Sequence, residues 1–123
     1  MLVERVLEAS LDRNGTVHKV SLLLAENAVL AFFYEDTLKI GTLAVSTPGL
    51  REGGTGTSSV LLGGKYMIVA RALSERVAAS YRKMSIVSIN TKLSEGEALR
   101  LYAELLDKAR SKGPEKDPEP PKD

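Results

Sequence analysis

A chain of 123 residues that is 43% hydrophobic, 27% charged and 5% aromatic has the make-up of one globular domain, and its 17 Lys and Arg against 16 Asp and Glu leave a net charge of +1. That balance lacks the basic excess of a nucleic-acid binder, and no run approaches the roughly 18 apolar residues that cross a bilayer, so neither nucleic acid nor membrane is expected as a partner. Zero cysteines remove disulfides, thiolate nucleophiles and cysteine metal sites, and the opening Met1-Leu2-Val3-Glu4-Arg5 is acidic where a secretory leader is basic, which predicts a cytoplasmic protein.

The first half reads as consecutive strands. Leu2 to Leu11 places Val3, Leu7, Ala9 and Leu11 on one face, Asn14-Gly15 supplies the two positive-φ positions of a tight hairpin turn, and Val17 to Leu24 runs back. Leu2, Val3, Val6, Leu7 and Leu11 also fit a helical stripe; the Asn-Gly signal favours the strand. After Glu26-Asn27 the segment Ala28 to Tyr34 is apolar on both faces, as in a central strand covered on both sides. Glu35-Asp36 turns the chain into a fourth strand, Leu38 to Ser46, with a bulge or bend expected at Gly41.

Seven of the ten glycines lie between Gly41 and Gly64, and the stretch Thr47 to Thr57 follows neither the strand nor the helix period, so it reads as a mobile loop of the kind that carries function. Ser58 to Leu62 is a short strand. A helix follows from Tyr66, with Tyr66, Val69, Leu73, Val77 and Tyr81 on one stripe and Arg71, Glu75, Arg76 and Arg82 off it. Met84 to Ile89 returns as a strand. Ser94 then opens the last helix as N-cap, with Glu97 completing a capping box, Leu93 and Ala98 as a hydrophobic staple, and Ala98, Leu101, Tyr102, Leu105 and Ala109 as its apolar stripe. Four of the five prolines fall between Pro114 and Pro121, in a stretch without a hydrophobic residue that cannot offset its ordering entropy by burial. Residues 1–111 therefore read as a single domain and 112–123 as a disordered, proline-rich and charged tail. The fold expected is α+β, a six-stranded antiparallel sheet of meander or sandwich type with two helices, in the order βββββαβα.

Two helices can cover only one face of such a sheet, yet the strands carry Leu, Val or Phe on both. The second face needs either a sheet that curls on itself or a partner, and the pattern favours a dimer.

No residue set points to catalysis. His18 is the only histidine and stands in a strand without a cysteine to help hold a metal. Glu4 with Glu8, and Glu95 with Glu97, are explained by an exposed strand face and a helix start. Gly53-Gly54-Thr55-Gly56-Thr57-Ser58 could cradle phosphate through its amides, but no Lys precedes the hydroxyl residues and a strand follows, so it fails as a P-loop and as a dinucleotide fingerprint. No enzyme activity, catalytic residue, metal or cofactor is expected.

The succession Ala28-Val29-Leu30-Ala31-Phe32-Phe33, Ile40-Gly41-Thr42-Leu43, a polar loop, Ser59-Val60-Leu61-Leu62-Gly63, a helix, Met84-Ser85-Ile86-Val87-Ser88-Ile89 and a last helix from Ser94 resembles the proteasome assembly chaperone 3 and 4 family over about Val3 to Ala109. The glycine-rich insertion at Gly53 to Gly56 and the proline-rich tail are not family features. The resemblance, read as that of a prokaryotic or archaeal-type member, implies a six-stranded antiparallel fold with two helices. It also implies a dimer, with itself or with a paralogue, that binds proteasome α-type subunits and promotes α-ring assembly. In that family the loop between the fourth and fifth strands contacts α subunits; here it maps onto Pro48 to Thr57, giving Pro48, Gly49, Leu50, Arg51, Glu52, Gly53, Gly54 and Thr55 as partner-binding residues, with Arg51 and Glu52 as the charges. The end Pro121-Lys122-Asp123 is not the hydrophobic-Tyr-X tail by which another family of such chaperones docks. The alternative is a small dimeric scaffold of roadblock or longin-like type. Those begin with a helix, so the state of residues 2 to 11 separates the two readings.

Overall fold

In the computed structural model, which describes residues 5–49 and 57–112, the chain opens on the hairpin its Asn-Gly pair encodes. Asn14 and Gly15 take φ of 55° and 83°, and the Gly15 amide donates to Asp12 Oδ1 at 3.2 Å. This joins β1 (Arg5–Arg13) to β2 (Thr16–Leu24) in antiparallel register, Arg13 opposite Thr16 and Leu7 opposite Leu22. β3 (Ala28–Glu35) pairs antiparallel with β2. β4 (Thr42–Thr47) and β5 (Thr57–Leu62) form a second antiparallel pair, then come α1 (Met67–Tyr81), β6 (Met84–Ile89) and α2 (Glu95–Arg110).

The sheet order is β1-β2-β3-β6-β4-β5, and here the expectation of a purely antiparallel sheet is corrected: β6 lies parallel to β3 and antiparallel to β4. The cause is α1. A 15-residue helix rises about 22 Å, enough to carry the chain from the end of β5 back past the sheet, so the next strand starts where β5 started. β6 then enters between β3 and β4, which the connection through residues 36–41 had left one strand apart. The sheet is mixed and the domain remains α+β.

Gly41 is not inside a strand either. The strand begins one residue later, because a Cβ on Gly41 would stand 2.2 Å from the Ile89 carbonyl oxygen; the chain needs glycine to pass β6 so closely. The β-bulge falls instead between Leu43 and Ala44, where β4 meets β5.

Both helices pack on one face. α1 lies over β4, β6 and β5 and α2 over β1 and β2. The pleat directs alternate residues toward them, and paired positions make apolar rows across the sheet: Leu7, Leu22, Ala31, Val87, Ala44 and Val60 in one, Ala9, Val20, Phe33 and Ile89 in the next. These meet Val69, Leu73 and Val77 of α1 and Tyr102, Leu105 and Leu106 of α2, all fully buried. Serines let α1 approach the sheet: Ser46 and Ser74 hydroxyls lie 2.7 Å apart, and Ser85 donates to the Ser74 carbonyl at 2.7 Å. At the start of α2, the Glu97 amide donates to Ser94 Oγ and that hydroxyl donates to Glu97 Oε1, both at 3.2 Å, so the cap is reciprocal.

Candidate functional site

Among the described residues, no helix covers the face of the sheet turned away from α1 and α2. Its central row runs through paired positions Val6, Leu23, Leu30, Ile86 and Val45 on five successive strands, and Phe32, Leu43 and Leu62 lie in the next row. These side chains are half-buried by their lateral neighbours or exposed, with Val6 and Leu62 more than half accessible. At the β1–β2 corner the face turns polar. Glu8 accepts from Ser21 Oγ at 3.4 Å, and Lys19 donates to the Asp36 carbonyl at 2.9 Å with its ammonium 5.9 Å from the centre of the Tyr34 ring. A contiguous apolar centre with a polar margin is the anatomy of a protein interface.

Of the sequence-predicted loop contacts, Pro48 and Gly49 leave the end of β4 half-buried; Leu50, Arg51, Glu52, Gly53, Gly54 and Thr55 lie outside the described residues. The glycine motif is likewise divided. Thr57 and Ser58 stand in β5, where the Ser58 hydroxyl donates to Glu75 and Arg71 Nε donates to Ser58 Oγ at 3.3 Å, so this serine is committed to contacts with α1.

The opposite end of the sheet holds a polar network that no spacing in the sequence announces. There β3 and β6 finish and both helices begin. His18, buried on the helix face of β2, shares a 2.8 Å hydrogen bond between its Nδ1 and the Tyr102 hydroxyl from α2. Burial pushes the Tyr102 phenol up to about 12. Beside it, Glu35 at the end of β3 accepts from Thr91 Oγ1 at 2.6 Å and from the Lys92 amide at 2.7 Å. Burial works to raise this carboxyl, yet the two hydrogen bonds and the charges of His18 and Lys92 prevail and hold it below the usual carboxylate range. The network clips the loop before α2 to the sheet. His18 thus has a positional partner of its own and faces a tyrosine rather than a cluster of ligands.

Tyr66 is the strained member of this end. It caps α1 with φ 62°, a left-handed conformation that costs a bulky residue about 1–2 kcal/mol, and no side chain of its own segment caps the helix. Its hydroxyl donates to the Leu93 carbonyl at 2.7 Å, and burial with the nearby Glu35 and Glu95 carboxylates raises its pKa. The missing cap comes from the other helix: Glu95 Oε2 accepts the Ile68 and Val69 amides at 2.8 and 3.0 Å. The sequence reading assigned Glu95 to the start of α2 alone, since its second role spans 26 residues or more and only the tertiary fold creates it.

The class so defined is a small α+β protein in which, among the described residues, two helices cover one face of a six-stranded mixed sheet and leave the other open, and the first described element is the strand β1. The same fold is present in the crystal structure of a novel chaperone complex for yeast 20S proteasome assembly, at a TM-score of 0.63 and 10% identity, over 89% of this chain and 94% of that chain. No protein-family model and no curated protein matches the sequence. At that identity the likeness is one of fold.

Proposed function

We infer that this protein is an ATP-independent chaperone of 20S proteasome assembly, a cytoplasmic non-enzyme that uses no cofactor. It binds α-type subunits through the surface of a folded dimer and through the loop from Pro48 to Thr55, and promotes assembly of the α-ring. The observation that carries the reading is the match of fold to a yeast proteasome assembly chaperone complex over nearly the full length of both chains. The sequence resemblance to the chaperone 3 and 4 family points the same way on separate grounds.

The open sheet face supports the dimer. Leu30, Phe32, Ile86 and Val45 form an apolar centre that water solvates poorly, and a second copy or a paralogue presenting the same face would remove both from solvent. The loop supports the client contact in another way. It carries Arg51 and Glu52, opposite charges that suit a polar protein contact without committing the chain to nucleic acid. Chaperoning of this kind needs complementary surface alone, so no bond is made or broken.

The test is co-expression of the tagged full chain with proteasome α-type subunits, followed by purification and assay of α-ring formation. Recovery of an α subunit with a dimeric bait is expected, and reversal of both Arg51 and Glu52 is expected to weaken that recovery while the fold persists. A bait that is dimeric and folded yet retains no α subunit overturns the reading in favour of a general dimeric scaffold.

A further inference from the structure

The sheet ends on one side at β1, and no described strand lies beyond it. Arg13 and Thr16 flank a two-residue turn and exchange their ladder bonds, and the pattern alternates along β1 from there. Arg13, Leu11, Ala9, Leu7 and Arg5 therefore direct their backbone to β2, while Val6, Glu8, Ser10 and Asp12 direct theirs outward. The same alternation on β2 turns Val17 toward β3, where its carbonyl accepts the Asp36 amide at 2.8 Å. β1 pairs with β2 along all nine of its residues without a register break, so the outward amides and carbonyls stand in a regular series. The other edge is less regular: β5 has six residues and its register with β4 shifts between Leu43 and Ala44.

Edge strands are ordinarily blunted by a bulge, a proline or charge. β1 has neither bulge nor proline and carries Arg5, Glu8, Asp12 and Arg13, all exposed. Their spacing rejects a second copy of the chain. Two β1 strands that meet antiparallel about a twofold axis normal to the sheet place each residue opposite the one equally far beyond the axis. Only three centres then join seven residues or more. Centred on Glu8, that carboxylate faces its own copy; centred on Ala9, Arg5 faces Arg13 twice; centred on Ser10, Glu8 faces Asp12 twice. Like charges directly opposite destabilise a strand pair. The chain's own segment 113–123 fits no better, because Pro114, Pro118, Pro120 and Pro121 have no amide for a ladder. Within the fold the four charges stay unspent: none makes an ion pair among the described residues. Lys19 and Lys112 line a corner cavity with Glu8, but Lys19 donates to the Asp36 carbonyl and Lys112 pairs with no acid.

We propose that the outer edge of β1 is a strand-addition site for an extended segment of a different protein. That segment runs antiparallel to β1, with a base opposite Glu8 and Asp12, an acid opposite Arg5 and Arg13, and apolar residues opposite Leu7, Ala9 and Leu11. Backbone pairing supplies the affinity, and the mixed charges select the sequence while excluding the chain's own copy. The apolar residues of the segment extend the row on the side of α2, where Leu7 and Ala9 are already buried. β1 and β5 are opposite edges of the sheet, so a segment added at β1 keeps the Pro48 loop and the apolar centre of the open face available. The site holds whether or not the client is a proteasome subunit.

The experiment uses the full chain and the fluorescein-labelled peptide Glu-Lys-Val-Thr-Val-Lys-Val-Thr-Glu, read by fluorescence anisotropy. Antiparallel to β1, its two lysines fall opposite Asp12 and Glu8 and its end glutamates opposite Arg13 and Arg5. Binding with Kd below about 1 mM is expected, and a peptide with every charge reversed is expected to bind about tenfold more weakly or worse. Glu8→Lys is expected to weaken the first peptide about threefold and to strengthen the reversed one. Ser10→Pro removes an outward amide that the ladder with β2 does not use, so it is expected to fold, as circular dichroism verifies, and to lose the peptide at least tenfold. No binding of the first peptide at about 1 mM, equal affinity for the two peptides, or affinity unmoved in a folded Ser10→Pro overturns the proposal.

Discussion

Glu95 in the first turn of α2 accepts the Ile68 amide at the start of α1 at 2.8 Å, so one helix supplies the cap that the other lacks. The carboxylate also lies where the partial positive charge of α1 is greatest, which adds to the hydrogen bonds. Glu95→Ala is expected to destabilise the fold by about 1–2 kcal/mol, and Glu95→Gln, which keeps an acceptor and loses the charge, by about half as much. Urea denaturation followed by circular dichroism measures both; equal stability of wild type and Glu95→Ala would show that the contact contributes nothing.

The buried pair of His18 and Tyr102 has a signature in pH. Folding raises the Tyr102 pKa to about 12, so the fold favours the neutral phenol, and the stability this confers is complete below pH 10 and lost as pH rises from about 10 to 12. Tyr102→Phe leaves His18 Nδ1 without its partner and is expected to cost about 1–3 kcal/mol at neutral pH. The gap between wild type and variant is expected to narrow through the alkaline window. A gap constant with pH would mean that the hydroxyl is not where its ionisation is resisted.

Glu35 gives the opposite limb. Its pKa is lowered from an ordinary 4.5, so its contribution is present above that value and is lost as pH falls through the lower folded value. Glu35→Gln is expected to flatten the acid side of the stability profile, with the loop before α2 gaining hydrogen-exchange freedom at Lys92. An unchanged acid limb would remove the carboxylate from the account.

What was legible in the sequence was local. Asn14-Gly15 dictated its turn through backbone sterics, and Ser94 with Glu97 dictated the start of α2 through hydrogen bonds three residues apart. The strand at Arg5–Arg13 followed from that turn, and the one-sided placement of two helices followed from counting surfaces. What was hidden depended on contacts between distant residues. β6 could be seen as a strand, but its insertion beside β3 depends on the reach of α1 and on the gap left by residues 36–41. Glu95 on α1 and His18 on Tyr102, 84 residues apart, leave no periodic trace. Gly41 was noticed as a glycine in a strand pattern, and only the passing Ile89 carbonyl explains it.

Gly41→Ala therefore tests the crossing of the chain past β6. A methyl group there would stand 2.2 Å from backbone that β-pairing with β3 and β4 holds in place, so the strand ends must separate. A loss of about 1–3 kcal/mol is expected, against no loss and up to about 1 kcal/mol of gain for Gly96→Ala, which stands in the first turn of α2 with nothing within 4 Å. Thermal denaturation of the two variants side by side distinguishes them, and equal midpoints would contradict the close approach.

The open sheet face makes the last prediction. Leu30 sits at the centre of its apolar row, with Leu23 and Ile86 as lateral partners; Val6 lies at one end of that row, and Leu62 at the β5 end of the neighbouring row. A stable dimer buries about 800 Å² on each partner, and a charge placed at the centre of such a patch has no means of hydration once the copies close. Light scattering is expected to give twice the 13.3 kDa of one chain for the wild type. It is expected to give a folded monomer for Leu30→Asp, and Val6→Asp with Leu62→Asp weakens the dimer with little risk to the fold, both residues being more than half exposed. A monomeric wild type, or a dimer indifferent to all three changes, would place the association elsewhere and leave the open face without its proposed role.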